Sequence, residues 1–319
     1  FIASYGSGRP VVAILGEFDA LPGISQAVSP VRNPLAEQAA GHACGHHLFG
    51  VGSAAAAIAT KEWLSSTATL GTIRYYGTPA EEGGSGKVYM VREGLFDDVD
   101  VVLHWHPSDE NDASPQTSLA NRSAKFRFYG LSSHASSAPQ AGRSALDGVE
   151  AMNYMVNLMR EHIPSTARIH YVITAGGNAP NVVPDYSEVF YYVRGSNAAQ
   201  VESLWIRVLA AAQGAAGGTE TRLEYEGIHG NHSVLPNTAL SRVMDGNLRK
   251  VGGITYNPAE QRFAEQLYLS FIEPDATVGE QSQVQDFELR HGFGSTDVGD
   301  ISWVVPTVGL RVATWVPGT

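Results

Sequence analysis

The chain has 319 residues, 43% of them hydrophobic and 17% charged, with 21 basic against 32 acidic side chains and a formal net charge of −11. That composition supplies a sizeable core for two domains or one large one and argues against wholesale disorder. The acidic balance argues against nucleic acid or an anionic membrane surface as the main partner, and no apolar run reaches the ~18 residues of a membrane span. The single cysteine, Cys44, rules out an intrachain disulfide and is compatible with a reducing compartment, so a cytoplasmic location is the expectation. The first residue is Phe1, and an apolar strand follows almost at once, which reads as a fragment or a processed chain.

In chain order, Val11 to Phe18 is a continuously apolar run, as expected of a strand buried on both faces. An Ala-rich helix follows from about His47 to Ser65, then a strand at Thr72 to Tyr76, a short helix at Gly86 to Gly94 and a buried strand at Val99 to Trp105. Alternating strands and helices of this kind predict an α/β domain on a parallel sheet. The rhythm changes near Ser118. Lys125 to Tyr129 alternates like a half-exposed strand, and Ser144 to Asp147 gives a capping-box-like helix start. Leu146, Val149, Met152, Val156 and Met159 then share one helical face. Strands at Arg168 to Thr174 and Ser187 to Arg194, a helix at about Ala198 to Ala216 and a strand at Glu220 to Tyr225 complete a split β-α-β order. The expectation is a small α+β sandwich, 119–235, inserted into a discontinuous catalytic domain, 1–118 and 236–319, with helices near 238–250 and 258–272 on the return.

Three short motifs carry the chemistry. Cys44 and His46, two apart in a glycine-rich turn, can present sulfur and imidazole to one side. Glu81 and Glu82 follow a strand in a glycine-rich loop, where one carboxylate can bind metal while the other handles protons. His104 and His106 end an apolar strand on one face, and buried imidazoles need partners. Each motif alone is as well explained by a structural cysteine, a solvated acidic turn or core histidines. All three fall at the ends of consecutive predicted strands, which converge on one crevice in an open α/β sheet. That convergence favours a metal site.

The ordered set E-F-D-A-L-P (17–22), G-H-A-C-G-H (41–46), P-A-E-E-G-G-S-G-K (79–87), W-H-P (105–107), G-R-S-A-L-D (142–147), N-V-V-P (181–184) and S-T-D-V-G-D (295–300) resembles the aminoacylase/carboxypeptidase group of co-catalytic metallohydrolases. Within that group the likeness is to the amidohydrolase branch acting on p-aminobenzoyl-glutamate and indole-acetyl-amino acids, and it covers nearly the whole chain. The resemblance implies a mixed-sheet α/β/α metallopeptidase-like catalytic domain with an inserted lid and dimerisation domain. It implies two divalent ions, Mn²⁺ or Zn²⁺, held by Cys44, His46, Glu82 and His106, with His104 as the alternative to His106. Glu81 would be the general base, and His134 would polarise the scissile carbonyl or stabilise its oxyanion. Asn181 and Arg194 would hold the substrate carboxylate. Asp19 and Asp297 would orient ligands or simply serve the sheet-end turns.

The same resemblance implies a small amide substrate with a free carboxylate and a homodimer or heteromer formed through the lid. It also implies that the sequence stops short of the branch's last ligand histidine, which follows a V-P-G-T segment, and lacks the N-terminal helical region. A dipeptidase on β-alanyl- or γ-aminobutyryl-lysine-type peptides and a non-catalytic partner of a hydrolase complex remain alternatives. A structural zinc protein is disfavoured, because closed structural sites leave no spare carboxylate.

Overall fold

The apolar run near the start of the chain is paired on both sides in the computed structural model, which describes residues 1–37 and 39–319. Strands β1 (Ile2–Ser7) and β2 (Val11–Glu17) are followed by α1 (His46–Thr67), β3 (Gly71–Thr78), the one-turn α2 (Glu81–Gly84), α3 (Gly86–Arg92) and β4 (Val101–Ser108). The short β5 (Gln116–Thr117) leads into β6 (Ala120–Tyr129), α4 (Ala145–Met159), β7 (Arg168–Ala175), β8 (Tyr186–Gly195), α5 (Ala198–Gly218) and β9 (Arg222–Asn231). The chain closes with α6 (Thr238–Val251), α7 (Pro258–Tyr268), β10 (Arg290–His291), α8 (Val298–Ser302) and β11 (Thr307–Ala313).

The described residues group into two compact units, one of Phe1–Thr117, Val234–Gly292 and Asp300–Thr319, the other of Ser118–Ser233 and Phe293–Gly299. In the first, the sheet order is β1-β3-β2-β4-β11, with β1 antiparallel to β3 and the other pairs parallel. Central β2 is buried at every position but Val12, which is why its sequence reads as continuously apolar. Ile14, Leu64 and Ile73 form a core cluster, with Val12, Ala57 and Leu103 packed against it.

Sequence patterning does not reveal β1 or β11. All six β1 residues are exposed, so no apolar alternation marks this edge strand. Within β11, Gly309 pairs with His104 of β4, and a Cβ at 309 would stand 2.4 Å from the imidazole. The glycine that weakens the strand signal is what admits the ring. Strand β4 is also less buried than an uninterrupted apolar run implies, being half-buried from Leu103 to His106.

In the second unit, an antiparallel sheet of order β7-β8-β6-β9 packs one face against α4 and α5. The elements follow in the strand, helix, two strands, helix, strand order expected from sequence. Phe126, Phe128, Met152, Val189, Tyr191 and Trp205 form the heart of the core. The Tyr191 hydroxyl inside it donates to Asn153 Oδ1, which satisfies a buried polar pair. Residues 293–299, read from sequence as part of the first unit, group with this one.

At the start of α4 the Ser144 hydroxyl accepts from Asp147 N at 3.1 Å, the cap anticipated from S-x-x-D. Ser144→Ala is expected to cost about 1 kcal/mol, measured as a lowered urea midpoint for the transition of this unit.

Candidate metal centre

Four chain segments bring the donors of the first unit together at the C-terminal ends of parallel strands. Strand β2 ends in Glu17 with Asp19 just beyond, α1 opens with His46, α2 opens with Glu81 and Glu82 after β3, and β4 carries His106. Gly45, the residue before α1, has φ of 78° in the left-handed region, and a Cβ there would meet the Pro107 ring at 2.8 Å. A glycine is therefore needed for the turn that sets Cys44 and His46 over the end of β4. Helix α2 is framed by two non-glycine residues in the left-handed region, Ala80 (φ 59°) and Ser85 (φ 50°). Strained backbone of this kind persists where surrounding structure fixes it, commonly at functional loops.

Cys44 Sγ lies 3.4 Å from His106 Nε2. Cys44, His46 and His106 each place one donor atom within 4.8 Å of the others, and Glu17, His46 and Glu81 do the same. His46 belongs to both groups. Its Nδ1 is 3.2 Å from both the main-chain oxygen and Oδ1 of Asp19, both acceptors, so Nδ1 carries a proton and Nε2 presents a lone pair. Asp19 Oδ2 also accepts from Glu82 N at 2.9 Å. One carboxylate thus fixes the imidazole and the start of the acidic loop, as groups behind metal ligands commonly do. His106 Nδ1 is 2.7 Å from Pro107 O, which likewise leaves Nε2 as the free acceptor.

The electrostatics favour a cation. Burial opposes a protonated His46, yet Asp19, Cys44 and Glu17 outweigh it and push the pKa up to about 12. Burial pushes the Glu82 carboxyl up, with Asp19 and Glu17 adding to it and His46 opposing. Burial also raises the Cys44 thiol, and Glu82 and Glu81 reinforce it. Glu17 Oε2, His46 Nε2 and Glu82 Oε1 are buried without a hydrogen-bond partner among the described residues. Buried acceptors left bare are costly, and a divalent ion among thiol, imidazole and carboxylate donors would satisfy all three. The donor set fits a metal.

Other residues singled out by sequence lie elsewhere. His104 is in neither donor group, and loss of hydration pushes its pKa down to about 4. In the second unit, exposed His134 accepts at Nδ1 from Ser136 N (3.3 Å) and Ser137 N (3.2 Å), so its proton sits on Nε2, available to donate. Asn181 is its neighbour, since Ala135 N donates to Asn181 O at 3.0 Å and His134 bridges to Val182. Arg194 stands at the other end of β8, its guanidinium 5.7 Å above the Tyr192 ring and 3.4 Å from Ser295 Oγ. Arg194 Nε is buried without a hydrogen-bond partner among the described residues. Asp297 is buried within the 293–299 segment.

Sequence patterning does not single out Glu17 or its partner Lys87. A signal for them exists: a charge closing an apolar strand, and a lysine after the G-G-S-G turn. Both are buried, with Lys87 Nζ 2.7 Å from Glu17 Oε1.

Loss of a thiolate donor should show directly in metal content. Cys44→Ser is expected to lower the metal retained after dialysis by about tenfold or more, read by elemental analysis, since deprotonated thiol is the stronger donor. Unchanged occupancy would remove Cys44 from the donor set.

Thiol, imidazole and carboxylate donors gathered at the strand ends of an α/β sheet define the metallohydrolase class. Residues 13–268 match the model of peptidase family M20/M25/M40, and the chain belongs to that family and is a hydrolase. It is 41% identical to one of the two kinds of subunit of the p-aminobenzoyl-glutamate hydrolase of Escherichia coli (strain K12), over 99% of this chain and 73% of that protein. To the other kind it is 30% identical, over 70% of this chain and 54% of the relative. It is 32% identical to the Xaa-Arg dipeptidase of Homo sapiens, over 94% of this chain but only 60% of the relative. Among solved structures, an aminobenzoyl-glutamate utilization protein from Klebsiella pneumoniae superposes with a TM-score of 0.67 at 20% identity, covering 97% of this chain and 68% of that one. A dinuclear metal-binding M20 peptidase of Bacillus subtilis gives 0.57 at 18% identity, over 97% and 74%. At these identities the two structures attest the fold.

Proposed function

We propose that the chain belongs to a metal-dependent amidohydrolase that cleaves N-acyl or N-aroyl amino acids such as p-aminobenzoyl-glutamate. The observation that carries this is the convergence of Cys44, His46 and His106 with the Glu81–Glu82 pair around bare buried acceptors. Cys44, His46, Glu82 and His106 would hold one or two divalent ions, Mn²⁺ or Zn²⁺. Such ions supply a water acidic enough to be deprotonated near neutral pH and a positive charge for the developing oxyanion. Glu81 takes the water proton as the oxygen attacks the amide carbon, then passes it to the departing amine. His134, with its proton on Nε2, donates to the oxyanion, and Arg194, with an unclaimed buried N–H, pairs with the substrate carboxylate. Asn181, beside His134, would add a polar contact to the substrate.

The matches include both kinds of chain of the E. coli p-aminobenzoyl-glutamate hydrolase, which supports a heteromeric assembly for this protein too. A lone, unpaired cysteine is compatible with the cytoplasm as its place. The 32% identity to a dipeptidase favours one second reading, hydrolysis of dipeptides ending in a basic residue. The test is the full-length protein with Zn²⁺ or Mn²⁺, alone and mixed with a homologue of the second E. coli chain. The panel comprises p-aminobenzoyl-glutamate, other acyl-amino acids, Xaa-Arg dipeptides and β-alanyl-lysine. Preference for p-aminobenzoyl-glutamate is expected. Preference for the basic dipeptides would select the second reading, and hydrolysis of none with metal bound would favour a non-catalytic role in a complex.

A further inference from the structure

Glu17 is a carboxylate in an unusual setting. It is 2% exposed, its Oε1 is held 2.7 Å from Lys87 Nζ, and Lys87 is itself fully buried. The other oxygen, Oε2, stands 3.0 Å from His46 Nε2, yet neither atom makes a hydrogen bond among the described residues. The proton count explains why that contact matters. With Nδ1 of His46 donating to Asp19, the neutral imidazole turns a lone pair, not an N–H, toward the edge where Glu17 Oε2 sits. Two lone pairs at 3.0 Å in a dry site repel unless a cation lies between them. Glu81 places a carboxylate oxygen within 4.8 Å of a donor atom of each.

We infer that Glu17 is itself a metal ligand, giving Oε2 to the same divalent ion that His46 Nε2 binds, with Lys87 as its fixed counter-charge. The inference rests on the reading of this site as a metal centre. Hydrogen bonding cannot account for the contact, because its geometry fails at both atoms. Lys87 accounts for how a fourth ionisable acid is tolerated beside Cys44, Glu81 and Glu82: it cancels one negative charge without occupying the side of the carboxylate that faces His46. Carboxylate, imidazole and carboxylate is a harder donor set than the Cys44, His46 and His106 group, so the two clusters would differ in metal preference.

The test uses the full-length apo-protein titrated with Zn²⁺ and, separately, Co²⁺, comparing wild type with Glu17→Gln. Glu17→Gln/Lys87→Met provides a second background in which no buried lysine is left uncompensated. Two readings are taken, the dissociation constant by calorimetry and the visible Co²⁺ absorption, which reports the number and type of ligands. Circular dichroism verifies the fold. Weakening by about tenfold or more at one site, with a changed Co²⁺ band in whichever variant folds, is the expected result. Weaker binding with an unchanged band would make Glu17 a group that only positions His46, and unchanged binding would make it purely structural. Either outcome overturns the assignment. Failure of the wild type to bind either ion would instead defeat the metal-centre reading.

Discussion

Glu81→Gln is expected to lower kcat by about 10²–10⁴-fold while leaving metal content and substrate KM within about twofold, because a general base contributes about that factor. The amide keeps the size of the carboxylate and a carbonyl oxygen, so α2 and its left-handed flanks at Ala80 and Ser85 should persist. What it loses is basicity: an amide cannot accept the water proton and return it to the amine. The matched control is Glu82→Gln. Glu82 Oε1 is buried and bare, 3.9 Å from His46 Nδ1, so this variant should lose metal as well as turnover. If Glu81→Gln retained turnover within about threefold, or if the two variants exchanged phenotypes, the division of labour between these neighbours would have to be reversed.

That division rests on the different ways the two residues are held. Asp19 grips the Glu82 main chain and the His46 ring together, so the Glu82 carboxyl inherits a position referenced to a metal-facing imidazole. Glu81, also half-buried, is one residue further from that clamp and joins the donor group that includes Glu17. A carboxylate that must exchange protons with substrate needs access as well as proximity, which an outer position in the loop provides.

Much of this site is legible in the sequence because its chemistry sits in short local motifs at strand ends. Cys44, His46, the two glutamates and His106 are each marked by spacing, by adjacent glycines or by the strand they terminate. The same holds for the helices and central strands, whose periodicity reflects burial on one or both faces. What is not legible depends on partners distant in sequence. Strand β1 has no buried face, so nothing in its composition distinguishes it from a loop; its pairing with β3 defines it. The 293–299 segment groups with residues 118–233 through contacts that no local pattern announces. The choice between His104 and His106 requires knowing which ring meets Cys44. Glu17 and Lys87 escape a reading by pattern because charged side chains are ordinarily assigned to the surface, and only their mutual burial, 70 positions apart in the chain, reveals the pair.

That pair yields the largest stability effect expected of any single substitution in the first unit. Lys87→Met should destabilise the apo-protein by about 3–5 kcal/mol, the usual cost of removing one partner from a buried ion pair. The cost arises from the group left behind. Glu17, held at a pKa of about 2 because Lys87 and His46 overcome the burial that would raise it, would keep a charge in the core with its nearest counter-charge gone. Lost lysine packing contributes less, since methionine fills a similar volume. It follows that Glu17→Gln/Lys87→Met should recover most of the loss, because two neutral side chains no longer demand compensation. Urea unfolding in the presence of a chelator, followed by tryptophan fluorescence, measures this. Trp63, Trp105, Trp303 and Trp315 belong to the first unit and Trp205 alone to the second, so the signal reports mainly on the unit that contains the pair. A Lys87→Met variant within about 1 kcal/mol of wild type, or a double variant less stable than either single one, would show that Lys87 does not act as the counter-charge of Glu17.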